Sequence, residues 1–148
     1  MIRCTILAVL LAALVAAAVH AQRPTVDQLD QWRTQHRALL DAIRQVESGG
    51  DDRAVGDGGN AIGAYQIWRA YHQDATEWVK ALAGTWADCY NRIHAERIVV
   101  AYWHRYARAA LRDGDNEVLA RIHNGGPRGH TKQATLGYWT KVQRQLDG

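Results

Sequence analysis

Ser48 to Gly63 is the segment that most restricts the fold, because ten of its sixteen residues are Gly, Asp or Asn. These residue types favour turns and left-handed backbone over helix, so the stretch predicts turns or a short irregular hairpin. Both of its flanks have the opposite character. Upstream, Thr25 and Gln28 have the spacing of a capping box behind Pro24. Leu29, Trp32, His36, Leu40, Ile43 and Val46 then recur at three- and four-residue steps. That periodicity predicts one continuous amphipathic helix, stopped by Gly49-Gly50, with Glu47 in its last turn.

Downstream, helical periodicity returns from Tyr65 towards Leu82, with a break near Tyr71, and again from about Asn91 to Leu111. The second of these carries Ile93, Val100, Trp103 and Ala107 on one side. A short helix follows through Val118, Leu119 and Ile122, ended by Gly125-Gly126-Pro127, and a last one carries Leu136, Trp139, Val142 and Leu146. Trp32, Trp103 and Trp139 fall on these stripes and are assigned to the core. No period of 20 to 50 residues repeats, which excludes a solenoid. The expected fold is mainly α, a single domain with at most a minimal β-hairpin.

The first twenty-one residues belong to none of this. Arg3 precedes an apolar run from Cys4 to Val19, and Val19-His20-Ala21 offers a small-residue cleavage site before Gln22. Residues 1–21 are therefore expected to be a signal peptide and residues 22–148 the folded domain. The apolar run is 16 residues, short of the roughly 20 that a spanning helix needs, so stable membrane insertion is not expected. Cleavage would leave 127 of the 148 residues and lower the formal charge from +3 to +2 as Arg3 departs. It would also leave Cys89 as a single thiol, which excludes an internal disulfide framework. The expected location is periplasmic or secreted. A pI of about 9.1 suits an anionic partner. The basic residues are spread along helices rather than clustered, which argues against a nucleic-acid groove.

Glu47 is the first candidate for chemistry. A carboxylate in the last turn of a helix faces the negative end of the dipole, and Glu47 lies four residues beyond Ile43 on the buried stripe. Both influences disfavour the charged form, as a general acid requires. Other constellations are incomplete. His94-Ala95-Glu96 opens like a zinc-deaminase signature, yet no Pro-Cys-x-x-Cys follows, so no metal site is expected. Asp113-Gly114-Asp115-Asn116-Glu117 lacks the Gly and Glu of a calcium loop and reads as a turn. Ser48, the only serine, does not sit in Gly-x-Ser-x-Gly.

Three blocks occur in order: Glu47-Ser48-Gly49-Gly50, Gly63-Ala64-Tyr65-Gln66-Ile67 and His123-Asn124-Gly125-Gly126-Pro127. Together they resemble the lysozyme superfamily. The stretches from Ala120 to Gly129 and from Thr135 to Val142 resemble in particular the invertebrate-type, destabilase-like lysozymes, and the resemblance runs from about Gln45 to Val142. Those proteins are cysteine-rich, whereas Gly50 and His130 stand at the positions that follow the Glu-Ser-Gly and Pro-Arg-Gly motifs here. The segment from Ala54 to Asn60 looks more like lytic transglycosylases.

The resemblance implies an exported glycosidase cleaving β-1,4 bonds of peptidoglycan or chitooligosaccharides, with Glu47 as acid, no cofactor, and a monomeric state. It also implies a second carboxylate, for which Asp57 is the nearest equivalent and Asp51 and Asp52 are weaker ones. Asp57 next to Gly58 is equally a turn residue. Gln66, Asn124 and the backbone at Gly125 suit hydroxyl and acetamido groups, and Tyr71, Tyr102 and Tyr138 suit stacking on a sugar face. Each tyrosine could instead be core. His123 either lines the cleft or is structural. An isopeptidase activity known among invertebrate-type relatives would have Ser48 and His123 as its only candidates. Two alternatives stay open: a transglycosylase using Glu47 alone, and a catalytically silent glycan-binding module.

Overall fold

The computed structural model describes residues 23–148, so the expected signal peptide lies outside the described residues. None of the described helices is long and apolar enough to cross a membrane.

The first helical stretch is two helices, α1 (Val26–Gln35) and α2 (Arg37–Ser48). Thr25 closes the expected capping box: its Oγ1 accepts from the Gln28 amide at 3.3 Å, while the Thr25 amide donates to Gln28 Oε1 at 2.9 Å. The continuous helix read from the sequence is kinked at His36, whose backbone leaves helical geometry at φ −101°, ψ 26°. The side chain accounts for the kink. The His36 ring is buried, meets Trp103 edge-on, and its Nε2 lies 2.9 Å from the Leu111 carbonyl oxygen. A tertiary anchor of this kind is invisible to periodicity, because His36 fits the apolar stripe either way. Gly49 then ends α2 in the left-handed conformation, φ 65°, which glycine adopts without steric cost.

The Gly-rich segment forms β1 (Val55–Gly56) and β2 (Ala61–Ile62), joined through a 3-10 turn at Asp57–Gly59. A third strand, β3 (Ile67–Trp68), extends the expected hairpin to a three-stranded antiparallel sheet in the order β1-β2-β3. Val55 pairs with Ile62, Ile62 with Ile67, and Ala61 with Trp68. Helix α3 (Arg69–Trp78) therefore starts four residues later than Tyr65, and a 3-10 turn at Lys80–Leu82 replaces its expected end.

Helix α4 (Arg92–Tyr106) is the centre of the molecule and packs against α1, α3, α5 and α6. Nine of its fifteen residues are buried, including Ile98, Val99, Val100 and Trp103. Ile93, expected on the apolar side, is half-exposed, and α4 gives way at Ala107 to α5 (Arg108–Asp113). Helix α6 (Asn116–Gly125) is capped by the Asp115 carboxylate, which accepts from the Val118 amide, and ends at Gly126. Helix α7 (Leu136–Asp147) closes the fold, packing on α2 and α6. Trp103 is fully buried, while Trp32 and Trp139 pack against the core from partly buried positions.

The core also holds an acid-sensitive group. His104 lies between Trp32 and Trp78, and Nδ1 accepts from Trp78 Nε1 at 3.0 Å. Burial, reinforced by the nearby Arg108 charge, pushes its pKa down to about 4. A folded value below the unfolded one contributes stability that is present above pH ~6.5 and is lost as pH falls towards 4. Urea unfolding should show a loss of about 2–3 kcal/mol from this residue between pH 7 and pH 4. The His104→Gln variant should have a correspondingly flatter dependence, and an unchanged slope would refute the assignment.

Candidate active site

Glu47 is delivered by the last turn of α2 to a cleft of about 290 Å³ that is also lined by Asp57, Gln66, Trp68, Tyr71, His123 and Asn124. These residues come from four places: the end of α2, the small sheet with its turns, the start of α3 and the end of α6. The glycine-rich segment contributes Asp57 to the cleft, and the turn and strand after it contribute Gln66 and Trp68. Without the stop at Gly49, α2 would run on and the sheet could not fold back beside Glu47.

A chain of hydrogen bonds fixes the Glu47 carboxyl. Tyr138 donates its hydroxyl to Glu47 Oε1 at 2.8 Å, and His123 Nε2 lies 3.4 Å from the same oxygen. His123 Nε2 also lies 3.2 Å from the Tyr65 carbonyl oxygen, and its Nδ1 lies 3.2 Å from the Tyr71 hydroxyl. Tyr71 in turn stacks face to face on Tyr102, with centroids 3.7 Å apart and an interplanar angle of 12°. Burial, with the Glu47 charge and the hydrogen bond to it, raises the Tyr138 phenol well above its ordinary value. Burial does the same for Tyr71. Both phenols keep their protons and can serve as donors.

The tyrosines expected to face a sugar thus have different positions. Tyr71 lines the cleft and Tyr138 holds Glu47, but Tyr102 is buried at 3% exposure and reaches the cleft only by supporting Tyr71. Asn124 is exposed in the cleft. Gly125 sits at the end of α6, where a Cβ would come within 2.5 Å of Thr135 Cγ2. Its carbonyl oxygen accepts from Lys132 Nζ at 2.6 Å, so its place is against the segment that leads into α7.

Gln66 and Asp57 share a backbone feature. They are the two non-glycine residues with positive φ among the described residues, both at 48°, and both line the cleft. Left-handed backbone costs a non-glycine residue of order 1 kcal/mol and concentrates at functional sites. Gln66 also ties the sheet together. Its Nε2 donates to the Gly63 carbonyl at 3.0 Å, and its Oε1 lies so close to Gly56 that a Cβ there would approach within 2.0 Å. Asp57 is exposed and its carboxylate is free to face a ligand. The weaker candidates are committed elsewhere: Asp52 is paired with Arg92 at 2.8 Å, and Asp51 accepts from the Arg53 amide.

Ser48 donates to the Ala64 carbonyl at 2.9 Å, and its contacts do not include His123, so no serine–histidine pair forms. Burial raises the Cys89 thiol to about 12, which disfavours the free thiolate that a nucleophile needs. Sequence reasoning missed Trp68, which lines the cleft at 49% exposure. Its place follows from β3, where Trp68 stands next to buried Ile67 and so points to the other face, and a strand of two residues leaves no period in the sequence to show this.

The Destabilase family model matches residues 36–145. This chain belongs to the destabilase family. The family is that of the invertebrate-type lysozymes, and named relatives bear this out. The chain is 36% identical to a lysozyme of Meretrix lusoria over 110 residues, 71% of this chain and 85% of that one. It is 41% identical to Lysozyme 1 of Crassostrea virginica over 87 residues, which spans 58% of this chain but only 45% of that protein. Invertebrate-type lysozyme 6 of Caenorhabditis elegans matches at 37% over 93 residues, 58% of this chain and 67% of that one. Among solved structures, Meretrix lusoria lysozyme in complex with Aeromonas hydrophila PliI superposes with a TM-score of 0.61 at 34% identity, over 72% of this chain and 87% of that one. Tapes japonica lysozyme gives the same TM-score at 29% identity. The destabilase match begins at His36, the kink, so α1 lies ahead of it.

Proposed function

We propose that this destabilase-family chain is a lysozyme-type glycosidase that cleaves the β-1,4 bonds of peptidoglycan, with Glu47 as proton donor. The observation that carries this reading is the Glu47 carboxyl, held by Tyr138 and faced by His123, in a cleft that it shares with Asp57. Glu47 passes its proton to the glycosidic oxygen as the C–O bond breaks. The oxocarbenium-like centre left on the sugar is met from the Asp57 side of the cleft, and water supplies the new hydroxyl while its other proton returns to Glu47. Asn124, exposed in the cleft, meets the acetamido and hydroxyl groups of the glycan, with Gln66 lining the cleft beside it. On this reading the protein acts outside the cytoplasm, after loss of residues 1–21, and its basic surface favours the anionic wall.

The test is digestion of purified peptidoglycan by the protein, followed by mass spectrometry of the fragments. Hydrolysis gives reducing ends with the mass of one added water. Anhydro ends, lighter by one water, would show instead that the substrate's own hydroxyl attacks and that the enzyme is a transglycosylase. No fragments from any wall preparation, with oligosaccharide still bound, would leave a glycan-binding module.

Trp68 gives a second check. An exposed indole beside the acid offers a flat apolar platform for a pyranose ring, a contact worth about 1–2 kcal/mol. Trp68→Ala should raise KM roughly tenfold with kcat little changed, the pattern of lost uniform binding. A fall in kcat at constant KM would assign the indole to shaping the catalytic geometry instead.

A further inference from the structure

We propose that His72, Cys89 and His94 form a binding site for a thiophilic divalent metal ion of the zinc class, separate from the cleft. The three residues are 17 and 5 positions apart and match no metal-binding spacing, but the fold brings them together. His72 comes from α3, Cys89 from the 3-10 turn Trp86–Tyr90, and His94 from the first turn of α4. One ligand atom from each lies within 4.8 Å of the other two. A tetrahedral zinc ion, with bonds of about 2.0–2.1 Å to nitrogen and 2.3 Å to sulfur, sets its ligand atoms about 3.3–3.6 Å apart. Reaching that spacing takes a shift of at most about 1.5 Å between ligand atoms, with the two imidazole centroids 6.0 Å apart.

The second observation is independent of this proximity. His72 Nε2 and His94 Nε2 are both buried without a hydrogen-bond partner, and the His72 residue is 7% exposed. A buried polar atom left unpaired costs about 1–3 kcal/mol, and the cost falls twice in this one cluster. A cation between the rings would give each imidazole a partner, together with the sulfur of Cys89, which is 1% exposed. Two imidazoles and one thiolate suit zinc and its neighbours rather than magnesium or calcium.

The local charge is also favourable. Asp88 lies close enough to influence both imidazoles, and its carboxylate is held as the cap of the 3-10 turn by Thr85. Arg97, whose charge acts on His94, is paired with Asp30 at 2.6 Å. On binding, Cys89 Sγ forms a bond to the metal and its proton passes to solvent, while the imidazoles bind through lone pairs. Three protein ligands leave one position for water. The ion would cross-link α3, the 3-10 turn and α4 in a chain whose described residues contain no disulfide.

The test is a titration of the metal-free full-length protein with Co²⁺, followed by displacement with Zn²⁺. The expected result is one equivalent of Co²⁺ with visible bands of tetrahedral cobalt and a thiolate-to-metal charge-transfer band, all abolished by zinc. Cys89→Ser should lose the charge-transfer band, and His72→Gln should bind at least about tenfold more weakly, the lower bound for losing even an outer partner of a metal ligand. Should Cys89→Ser not fold by circular dichroism, His94→Gln, at a less buried position, should show the same weakening. Absence of the charge-transfer band in the wild type would overturn the proposal, as would its persistence in folded Cys89→Ser.

Discussion

Glu47→Gln should lower kcat on peptidoglycan by about 10²- to 10⁴-fold, the range that a positioned proton donor supplies, with KM nearly unchanged. The substitution keeps the size and shape of the side chain and removes only the transferable proton. Tyr138 can still donate to a carbonyl oxygen at position 47, and His123, 3.4 Å away, keeps its contacts with Tyr65 and Tyr71, so the variant should fold as the wild type does. That separation of chemistry from stability makes the measurement decisive. The assay is the initial rate of turbidity loss of a wall suspension, checked by quantifying released fragments and by circular dichroism. Activity within tenfold of wild type would remove Glu47 as the acid. Equal losses in kcat/KM and kcat would place the lost interaction in the transition state alone.

How much of this could be read from the chain differs between fold and site, for physical reasons. Helices with local signals were legible: the capping box at Thr25, the glycine stop after Ser48 and the turn at Asp115 are all encoded within a few residues. The kink at His36 was not, since it depends on the Leu111 carbonyl and Trp103, both more than sixty residues away. The third strand was hidden as well. Ile67-Trp68 leads directly into α3, and two residues are too few to show a period of two.

At the site, the motifs brought Glu47, Gln66, His123 and Asn124 into one cleft. They did not distinguish a tyrosine that lines the cleft from one beneath it, because Tyr71 and Tyr102 differ only in how the stack is buried. The cluster of His72, Cys89 and His94 shows the same limit, being joined only by the packing of α3 on α4.

Glu96→Gln should destabilise the protein by about 3–5 kcal/mol, the cost of breaking a buried charge cluster by removing one partner. Glu96 lies in the fully buried centre of α4 at 1% exposure. Arg33 donates to its Oε2 at 2.9 and 2.6 Å, Arg37 donates at 2.8 and 2.6 Å, and the Tyr65 hydroxyl donates to Oε1 at 3.0 Å. Burial by itself raises the carboxyl's pKa, but the Arg37 and Arg33 hydrogen bonds outweigh it and hold Glu96 below the ordinary carboxylate range. An amide removes the charge between two guanidinium groups and turns a donor towards them, so α1, α2 and α4 lose their common tie.

With a urea slope of about 2 kcal/mol/M, the unfolding midpoint should fall by roughly 2 M. The sign with pH follows from the lowered value. The stability that Glu96 contributes is present above the ordinary carboxylate range and is lost as pH falls through its lower folded value. The gap between wild type and variant should therefore be full at pH 7 and shrink in strong acid. A gap independent of pH would mean that packing, not charge, holds the cluster.

The same substitution reaches the active site. Tyr65 donates its hydroxyl to Glu96, while its carbonyl oxygen lies 3.2 Å from Nε2 of His123, the ring facing Glu47. Folded Glu96→Gln protein should therefore lose some kcat as well as stability, because the turn that positions His123 is anchored on the buried carboxylate. If kcat is unchanged in the folded variant, the cluster holds the helices together without setting the geometry of the cleft.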